Sequence, residues 1–313
     1  MLSVVGILLK QYSHNFVQIQ KCAILPLVRY YRQVAGVLYV VGTPIGNLED
    51  LSVRAQRILQ TASVVACEDT RQSSKLMAAA GAHRPLLSLH EHNESQRCHE
   101  LVTRLLQGED VALISDAGTP LISDPGYRLV EAAIAAGIAV SPIPGASAVL
   151  SALSVAGLPT DQFAFIGFLP HKAVARQKLL EKWADLEATL VCFESPHRIL
   201  ESLEEIAKLW PTRRMAACRE LTKIHEEILR GSASEIHESL KRRPSVKGEF
   251  TLVIHRAEVL QNKAILANPK NLKEEVDRLT AAGQSRMDAI KHAAKHAGLN
   301  KREAYGMLEK EKN

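Results

Sequence analysis

From residue 37 onward, short apolar runs alternate with stretches in which apolar residues recur at helical spacing. The runs at 37–42 and 111–115 are almost wholly apolar, whereas a strand with one solvated face would alternate apolar and polar residues. A strand of this kind must be covered on both faces, and alternating strands and helices provide that cover. The pattern therefore predicts an α/β fold with parallel-rich sheets.

The alternation is interrupted once and later gives way to helical spacing alone. The interruption is Gly157-Leu158-Pro159, and the final stretch contains two pairs with capping-box spacing, Ser285 with Asp288 and Asn300 with Glu303. A length of 313 residues also fits two domains. We therefore predict a poorly ordered extension at 1–36, α/β domains at 37–157 and 158–262, and a helix-turn-helix-like tail at 268–313.

Composition narrows the class of protein. The chain is 46% hydrophobic and 23% charged, as in ordinary globular proteins, and its apolar runs are far shorter than the roughly 20 residues of a membrane span. The five cysteines are scattered without a CxxC pair, which favours a reducing, cytoplasmic setting over disulfides or structural zinc. The net charge of +5 is concentrated at the two ends of the chain, which hints at a polyanionic partner.

The segments that follow predicted strands are the candidate sites, because ligands bind beyond the carboxyl ends of strands in open α/β sheets. The predicted strand at 111–115 is followed by Asp116-Ala117-Gly118-Thr119 and then by Asp124-Pro125-Gly126. A carboxylate, a glycine and a hydroxyl on one loop suit a polar small molecule. Turn or cap roles for the two aspartates are the alternative.

Other strand-end segments are less specific. Residues 42–48 contain glycines but no GxGxxG pattern, which argues against a standard dinucleotide site. Residues 144–148 lead with small side chains into a helix, whose backbone N–H groups could face a ligand. Residues 193–198 and 219–223 concentrate ionisable groups, although caps and salt bridges explain them equally well. The His90-x-His92 pattern is poor evidence for a metal, so we expect none.

Seven ordered motifs resemble one family. In chain order they are LYVVGTPIGNLEDL at 38–51, EDTR at 68–71, VALISDAGTPLISDPG at 111–126, PGASA at 144–148, GFLP at 167–170, FESPHR at 193–198 and RELTKIHEE at 219–227. Together they resemble the bacterial small-subunit ribosomal RNA methyltransferase I family, cytidine 2′-O-methylases within the tetrapyrrole methylase superfamily. The resemblance runs from residue 37 to the C-terminus and leaves the 1–36 extension unexplained.

The resemblance implies two α/β domains of tetrapyrrole-methylase type with S-adenosylmethionine in a cleft between them, plus the small C-terminal helical unit. It also implies a cytoplasmic homodimer that methylates a cytidine ribose in the decoding region of 16S rRNA, within the assembled small subunit. Carried over by motif, the cofactor-binding residues are Pro44, Ile45, Asp116, Ala117, Gly118, Thr119, Ser147, Ala148, Phe193, Glu249, Phe250 and Thr251.

A ribose hydroxyl is a weak nucleophile, so a base or a cation beside its developing alkoxide would assist the reaction. The candidates for this role are His92, Glu68, Glu194, Glu220 and Lys223, and we take His92, Glu220 and Lys223 as the catalytic set. The candidate anchors for RNA phosphates are Arg71, Arg198 and Arg219, each of which could equally be a salt-bridge partner.

Two alternative functions stay open. Another member of the superfamily would act on a tetrapyrrole or a protein side chain, which the basic tail and the EDTR and FESPHR motifs disfavour. A ligand-sensing regulator would bind DNA with the terminal helices. Against this second alternative, Glu303, Glu309 and Glu311 lie among the basic residues of a short last helix.

Overall fold

The computed structural model describes residues 35–90, 93–257, 268–281 and 284–310. The predictions for most of the 1–36 extension and for His92 therefore lie outside the described residues. The chain forms two compact units. The first ends at Ser151 and takes in Glu220–Glu226, and the second comprises Ala152–Arg219 and the chain from Glu227 onward. Among the described residues, the helices are too short or too polar to cross a membrane.

The first unit contains a fully parallel five-stranded sheet with the strand order β3-β2-β4-β1-β5. Its strands are β1 (Val37–Val41), β2 (Val64–Cys67), β3 (Leu86–Ser88), β4 (Val111–Leu113) and β5 (Ala139–Ile143). The helices between them are α1 (Val53–Thr61), α2 (Thr70–Ala79), α3 (Glu94–Leu106) and α4 (Tyr127–Ala135), with a 3-10 turn at Leu48–Asp50. Helix α5 (Ala148–Ala156) follows β5.

Alternate residues of each central strand face opposite helical layers. In β2, Val65 and Cys67 pack with residues of α1 and α2, whereas Val64 and Ala66 pack with residues of α3 and α4. All four side chains are buried. Cover on both faces explains why these strands appear in the sequence as continuous apolar runs, and it confirms the predicted α/β class.

The second unit contains a mixed sheet with the order β6-β7-β10-β8-β9. Its elements are β6 (Phe163–Phe168), α6 (Ala173–Lys182), β7 (Thr189–Glu194), α7 (Ile199–Leu209), β8 (Arg214–Arg219), β9 (Glu227–Ser232), α8 (Ala233–Lys241) and β10 (Phe250–Ile254). Only β6 and β7 pair in parallel, so this sheet departs from the parallel-rich prediction. The reason is chain length: residues 220–226 between β8 and β9 are too few for a crossover helix.

Three helices close the described chain: α9 (Pro269–Ala281), α10 (Arg286–Ala297) and α11 (Lys301–Lys310). They share a core of apolar side chains that includes Leu272, Val276 and Ile290. The predicted capping box of α11 is present, because Asn300 Oδ1 accepts from the Glu303 N–H and the Glu303 carboxylate accepts from the Asn300 N–H, at 2.9 and 2.8 Å. The predicted helical tail is therefore confirmed.

Candidate functional site

The loop that follows β4, Ser115–Gly126 (the β4 loop), is tied to the ends of two neighbouring strands. The Thr43 N–H and hydroxyl, just after β1, both donate to the Gly118 carbonyl, at 2.8 and 3.2 Å. The Asp69 N–H, just after β2, donates to the exposed Asp116 carboxylate at 3.2 Å. Because β2, β4 and β1 are adjacent in a parallel sheet, their carboxyl ends bring these loops together.

The β4 loop holds unusual backbone conformations. Leu121 and Ser123 have φ values of 74° and 69°, in the left-handed region that L-residues avoid at a cost of about 1–2 kcal/mol each. Among the described non-glycine residues, Glu220 and Thr222 also have positive φ values, of 50° and 67°. Both belong to the first unit. Such conformations persist where the surroundings dictate them, and they cluster at ligand sites.

The segment Glu220–Glu226 lies against the loop that follows β1. The Lys223 side chain runs across Gly46, where an added Cβ would sit 2.3 Å from Lys223 Cγ. The Lys223 ammonium donates to the Glu220 carboxylate at 2.9 Å. The Thr222 hydroxyl is buried without a hydrogen-bond partner among the described residues. The structure thus carries Glu220 and Lys223, predicted as catalytic, to the strand ends of the first unit.

The predicted cofactor-binding residues of the first unit all lie at this carboxyl edge of the sheet. Pro44 and Ile45 are buried after β1, and Ala117 and Thr119 are exposed on the β4 loop. The Thr119 hydroxyl lies 3.5 Å from the Ala146 carbonyl in the segment after β5. That segment continues into Ser147, whose hydroxyl accepts from the Leu150 N–H, and Ala148, which begins α5.

A second carboxylate, Asp124, lies further along the β4 loop. Burial raises the pKa of Asp124 above its ordinary value, and the nearby Asp116 charge raises it further, while a hydrogen bond with Ser115 opposes both effects. Asp124 therefore takes up a proton more readily than an exposed aspartate would. The β4 loop thus presents one exposed carboxylate, Asp116, and one half-buried carboxylate.

In the second unit, the predicted cofactor-binding residues lie on paired strands. Phe193 on β7 stands opposite Thr251 on β10, next to the buried Phe250. Glu249 immediately precedes β10 and is exposed. The Phe193 ring makes an edge contact with the exposed Phe168 at 5.3 Å between centroids. Phe193 and Thr251 therefore share one face of this sheet, whereas Phe250 points to the other face and into the core.

The FESPHR motif forms a buried ion pair. The fully buried Glu194 carboxylate lies 2.8 Å from Arg198 Nη2, accepts from the Ser195 N–H at 2.6 Å and also accepts from the Ser202 hydroxyl. Arg198, 13% exposed, also donates to the Leu169 carbonyl at 3.2 Å. The pair therefore links the FESPHR and GFLP motifs inside the second unit.

The other two arginines proposed as RNA anchors differ in exposure. Arg71, 89% exposed, forms a two-pronged hydrogen bond with Asp69, which lowers the pKa of that carboxyl. Arg219, 18% exposed, donates to the Lys247 carbonyl at 2.6 Å and lies near Glu227. Arg71 is thus the most accessible of the three for a phosphate. Glu68, half-buried, directly precedes Asp69.

The part of the chain that the structure describes contains no cluster of three or more His, Cys, Asp or Glu side chains able to hold a metal ion. The cysteines in that part of the chain, Cys67, Cys98, Cys192 and Cys218, are all buried, and none of these four forms a disulfide bond.

Sequence reasoning did not identify Thr43 or the Gly42–Gly145 contact. Gly42 and Gly145 follow β1 and β5, and a Cβ on Gly145 would lie 2.6 Å from the Gly42 carbonyl oxygen. Thr43, Gly42 and Gly145 all lie in the motifs quoted above, but each contacts a residue more than 70 positions away in the chain. The sequence therefore showed that small residues occur at these positions, but it did not show which residues they contact.

We expect Gly145→Ala to destabilise the protein by about 1–3 kcal/mol, because the new methyl group would overlap backbone rather than a flexible side chain. Thermal unfolding followed by calorimetry measures this loss. Gly306→Ala is the matched control, since a Cβ at this α11 position meets nothing within 4 Å. This control should leave the protein as stable as before or slightly more stable. Equal melting temperatures for the two variants would contradict the prediction.

Comparison with known proteins identifies the class. The profile of the Tetrapyrrole (Corrin/Porphyrin) Methylases matches residues 37–237. A solved diphthine synthase superposes with a TM-score of 0.57 at 15% identity, covering 70% of this chain and 90% of its own. Uroporphyrin-III C-methyl transferase from Thermus thermophilus, solved in complex with S-adenyl homocysteine, superposes with a TM-score of 0.50 at 20% identity, covering 72% and 99%. The fold is therefore that of the tetrapyrrole methylases.

A curated relative narrows the assignment further. The ribosomal RNA small subunit methyltransferase I of Halalkalibacterium halodurans is 43% identical over 282 residues, which cover 90% of this chain and 97% of the relative. This chain belongs to the ribosomal RNA small subunit methyltransferase I family.

Proposed function

We propose that this enzyme transfers a methyl group from S-adenosylmethionine to the 2′-oxygen of a cytidine ribose in the decoding region of 16S rRNA. The observation that carries the proposal is the convergence, at one sheet edge of the first unit, of the strained β4 loop and the Glu220–Glu226 segment. Family membership supports the methyltransferase activity and an rRNA substrate.

The residues of the first unit fit a polar, cationic cofactor. Asp116 offers an exposed carboxylate for ammonium or hydroxyl groups, and the buried Thr222 hydroxyl lacks a partner among the described residues. Pro44 and Ile45 are apolar, and Ile45 lies next to Gly118, where an added Cβ would sit 3.2 Å from Ile45 Cγ2. S-adenosylmethionine is the methyl donor, and when bound it supplies a methyl group activated by a sulfonium. The Asp116–Thr119 stretch, Pro44, Ile45, Ser147 and Ala148 of the first unit would hold it, and the roles of Phe193 and of residues 249–251 stay predictions.

Glu220 and Lys223 carry the proposed acid–base chemistry. As the ribose oxygen forms its bond to the methyl carbon and the carbon–sulfur bond breaks, the Glu220 carboxylate accepts the hydroxyl proton. The adjacent Lys223 ammonium stabilises negative charge that develops on the oxygen. Their 2.9 Å contact holds both groups in place. His92, the third member of the predicted set, keeps its role as a prediction.

The RNA contacts are proposed from charge and exposure. Arg71 is exposed in the first turn of α2, and the C-terminal helical unit is basic. Both the Arg71 guanidinium and the basic helices would bind phosphates of a folded ribosomal RNA. An aromatic content of 4% leaves few side chains for stacking on free single strands, which favours the assembled small subunit as the substrate. We also propose that the protein is cytoplasmic and that it forms a homodimer. Light scattering during gel filtration would test the homodimer.

The direct test uses tritiated S-adenosylmethionine with small ribosomal subunits from a strain that lacks this activity. Free 16S rRNA and a tetrapyrrole precursor serve as parallel substrates, and nuclease mapping locates any label. We expect label on a decoding-region cytidine ribose, with subunits preferred over free RNA. Label on the tetrapyrrole alone would overturn the proposed substrate and leave the class of enzyme intact.

Deletion of the C-terminal helices should separate RNA docking from cofactor binding. Residues 269–310 pack around a core of their own side chains, so we expect removal of 268–313 to leave the rest folded. The KM for small subunits should rise about tenfold or more, because phosphate contacts dominate protein–RNA affinity, while the Kd for S-adenosylmethionine stays unchanged. Loss of cofactor binding in the truncated protein would instead assign the tail a structural role.

A further inference from the structure

Glu94 is a buried acidic residue with no role in the site described so far. It begins α3 and is 7% exposed. One carboxylate oxygen accepts from the Gly126 N–H at 3.1 Å and from the Arg128 N–H at 3.3 Å. The other oxygen lies 3.6 Å from the Arg128 guanidinium. Glu94 therefore joins the start of α3 to the start of α4, 32 residues later in the chain.

Helix α4 depends on this carboxylate because it lacks a cap of its own. Its N-cap is Gly126, which has no side chain to accept the free N–H groups of the first turn. Alanine or serine is disfavoured there, since φ is 120° and an added Cβ would lie 2.9 Å from a Leu113 methyl carbon. The cap must therefore come from another element, and a carboxylate suits the positive end of the helix dipole.

Gly126 is also the last residue of the β4 loop, so Glu94 fixes the far end of that loop. Thr43 and Asp69 fix its near end, at Gly118 and Asp116. The left-handed residues Leu121 and Ser123 lie between the two anchors. A strained stretch keeps its conformation only while both ends are held, because release of one end lets the backbone relax to ordinary φ values.

We propose that Glu94 is a positioning residue for cofactor binding, which holds the β4 loop in its binding conformation by capping α4 from outside. The proposal rests on the function proposed above, in which Asp116–Thr119 hold S-adenosylmethionine. Glu94 touches neither cofactor nor RNA in this role. It acts through the backbone N–H groups of Gly126 and Arg128.

Two substitutions separate the reach of the side chain from its charge. Glu94→Gln keeps the length and an acceptor oxygen, whereas Glu94→Asp keeps the charge but is one methylene too short to contact the same N–H groups. Ser52→Ala is the matched control: Ser52 caps α1 in the same unit, accepting from the Ala55 N–H at 3.1 Å, and its helix does not follow the β4 loop. Glu94→Ala completes the series.

Hydrogen exchange on the free protein and calorimetric titration with S-adenosylmethionine measure the two consequences. We expect Glu94→Ala and Glu94→Asp to speed exchange in the peptide spanning 114–130 and to raise the Kd about tenfold or more. Glu94→Gln should stay within about threefold of the wild type, because its amide oxygen can still accept both hydrogen bonds. Ser52→Ala should lower the melting temperature without moving the Kd.

The opposite results overturn the proposal. The proposal fails if a folded Glu94→Asp protein binds S-adenosylmethionine with the wild-type Kd. It also fails if Ser52→Ala raises this Kd as much as Glu94→Ala does. Should Glu94→Ala fail to fold, the contrast between the Gln and Asp variants still decides. Failure of the wild-type protein to bind S-adenosylmethionine would refute the proposed function instead, and the exchange data would then show separately whether Glu94 holds the loop.

Discussion

Replacing Glu194 with alanine is expected to lower the free energy of unfolding of the second unit by about 3–5 kcal/mol. The substitution removes a fully buried carboxylate and leaves the Arg198 guanidinium, 13% exposed, without its counter-charge. The Ser202 hydroxyl and the Ser195 N–H lose their acceptor at the same time. A buried charge without a partner is among the most destabilising defects in a folded protein because water no longer solvates it.

Urea denaturation followed by tryptophan fluorescence measures this loss. Both tryptophans of the chain, Trp183 and Trp210, lie in or against the core of the second unit, so their emission reports its unfolding. The control is Glu204→Ala, which breaks an exposed ion pair with Lys208 on α7 and should leave stability almost unchanged. A loss below about 1 kcal/mol for Glu194→Ala would indicate that water solvates Arg198 in the variant.

Replacing Asp116 with alanine is expected to raise the Kd for S-adenosylmethionine about 10- to 100-fold. Its exposed carboxylate is the acidic group of the Asp116–Thr119 stretch, and hydrogen bonds to charged groups contribute more than neutral ones. The carboxylate also accepts from the Asp69 N–H, which links the ends of β2 and β4. The variant should therefore lose direct contacts and some order in the β4 loop.

Isothermal titration calorimetry with S-adenosylmethionine and with S-adenosylhomocysteine tests this prediction. The second ligand lacks the sulfonium charge, so an equal loss of affinity for both would place the Asp116 contact on the parts they share. Asp116→Asn keeps an acceptor and should fall between the wild type and the alanine variant. Asp50→Ala, an exposed acid in the same unit, is the control. Unchanged affinity in Asp116→Ala would remove Asp116 from the cofactor site.

Much of the fold could be predicted from local patterns. The apolar runs of β1, β2 and β4 indicated strands covered on both faces, because each residue of such a strand meets a helical layer. The side-chain cap of α10 and the capping box of α11 were visible in four residues each, since a cap is a local interaction. By contrast, β3 and β9 went unpredicted. The three residues of β3 form too short a run to show a period, and β9 is only partly buried.

The candidate site was partly visible in the sequence. Motif order and glycine-bearing loops indicated which strand ends to inspect, because parallel strands direct their carboxyl ends to one edge. The return of Glu220–Glu226 to the first unit was not predictable, since a domain boundary drawn from composition assumes that each domain is continuous in sequence. The contacts of Arg198 and Arg219 could not be predicted from the sequence either. A sequence shows a positive charge, but burial and partners determine what that charge contacts.

By itself, the sequence determined the fold class, the helical tail, the family and the loops that could carry chemistry, because these depend on local periodicity and on motifs. The tertiary structure decided which distant residues meet: Thr43 with Gly118, Lys223 with Gly46, and Glu94 with Gly126. These contacts span 32 to 177 residues of chain. They form only when the sheet and its helices have packed, so no local pattern encodes them.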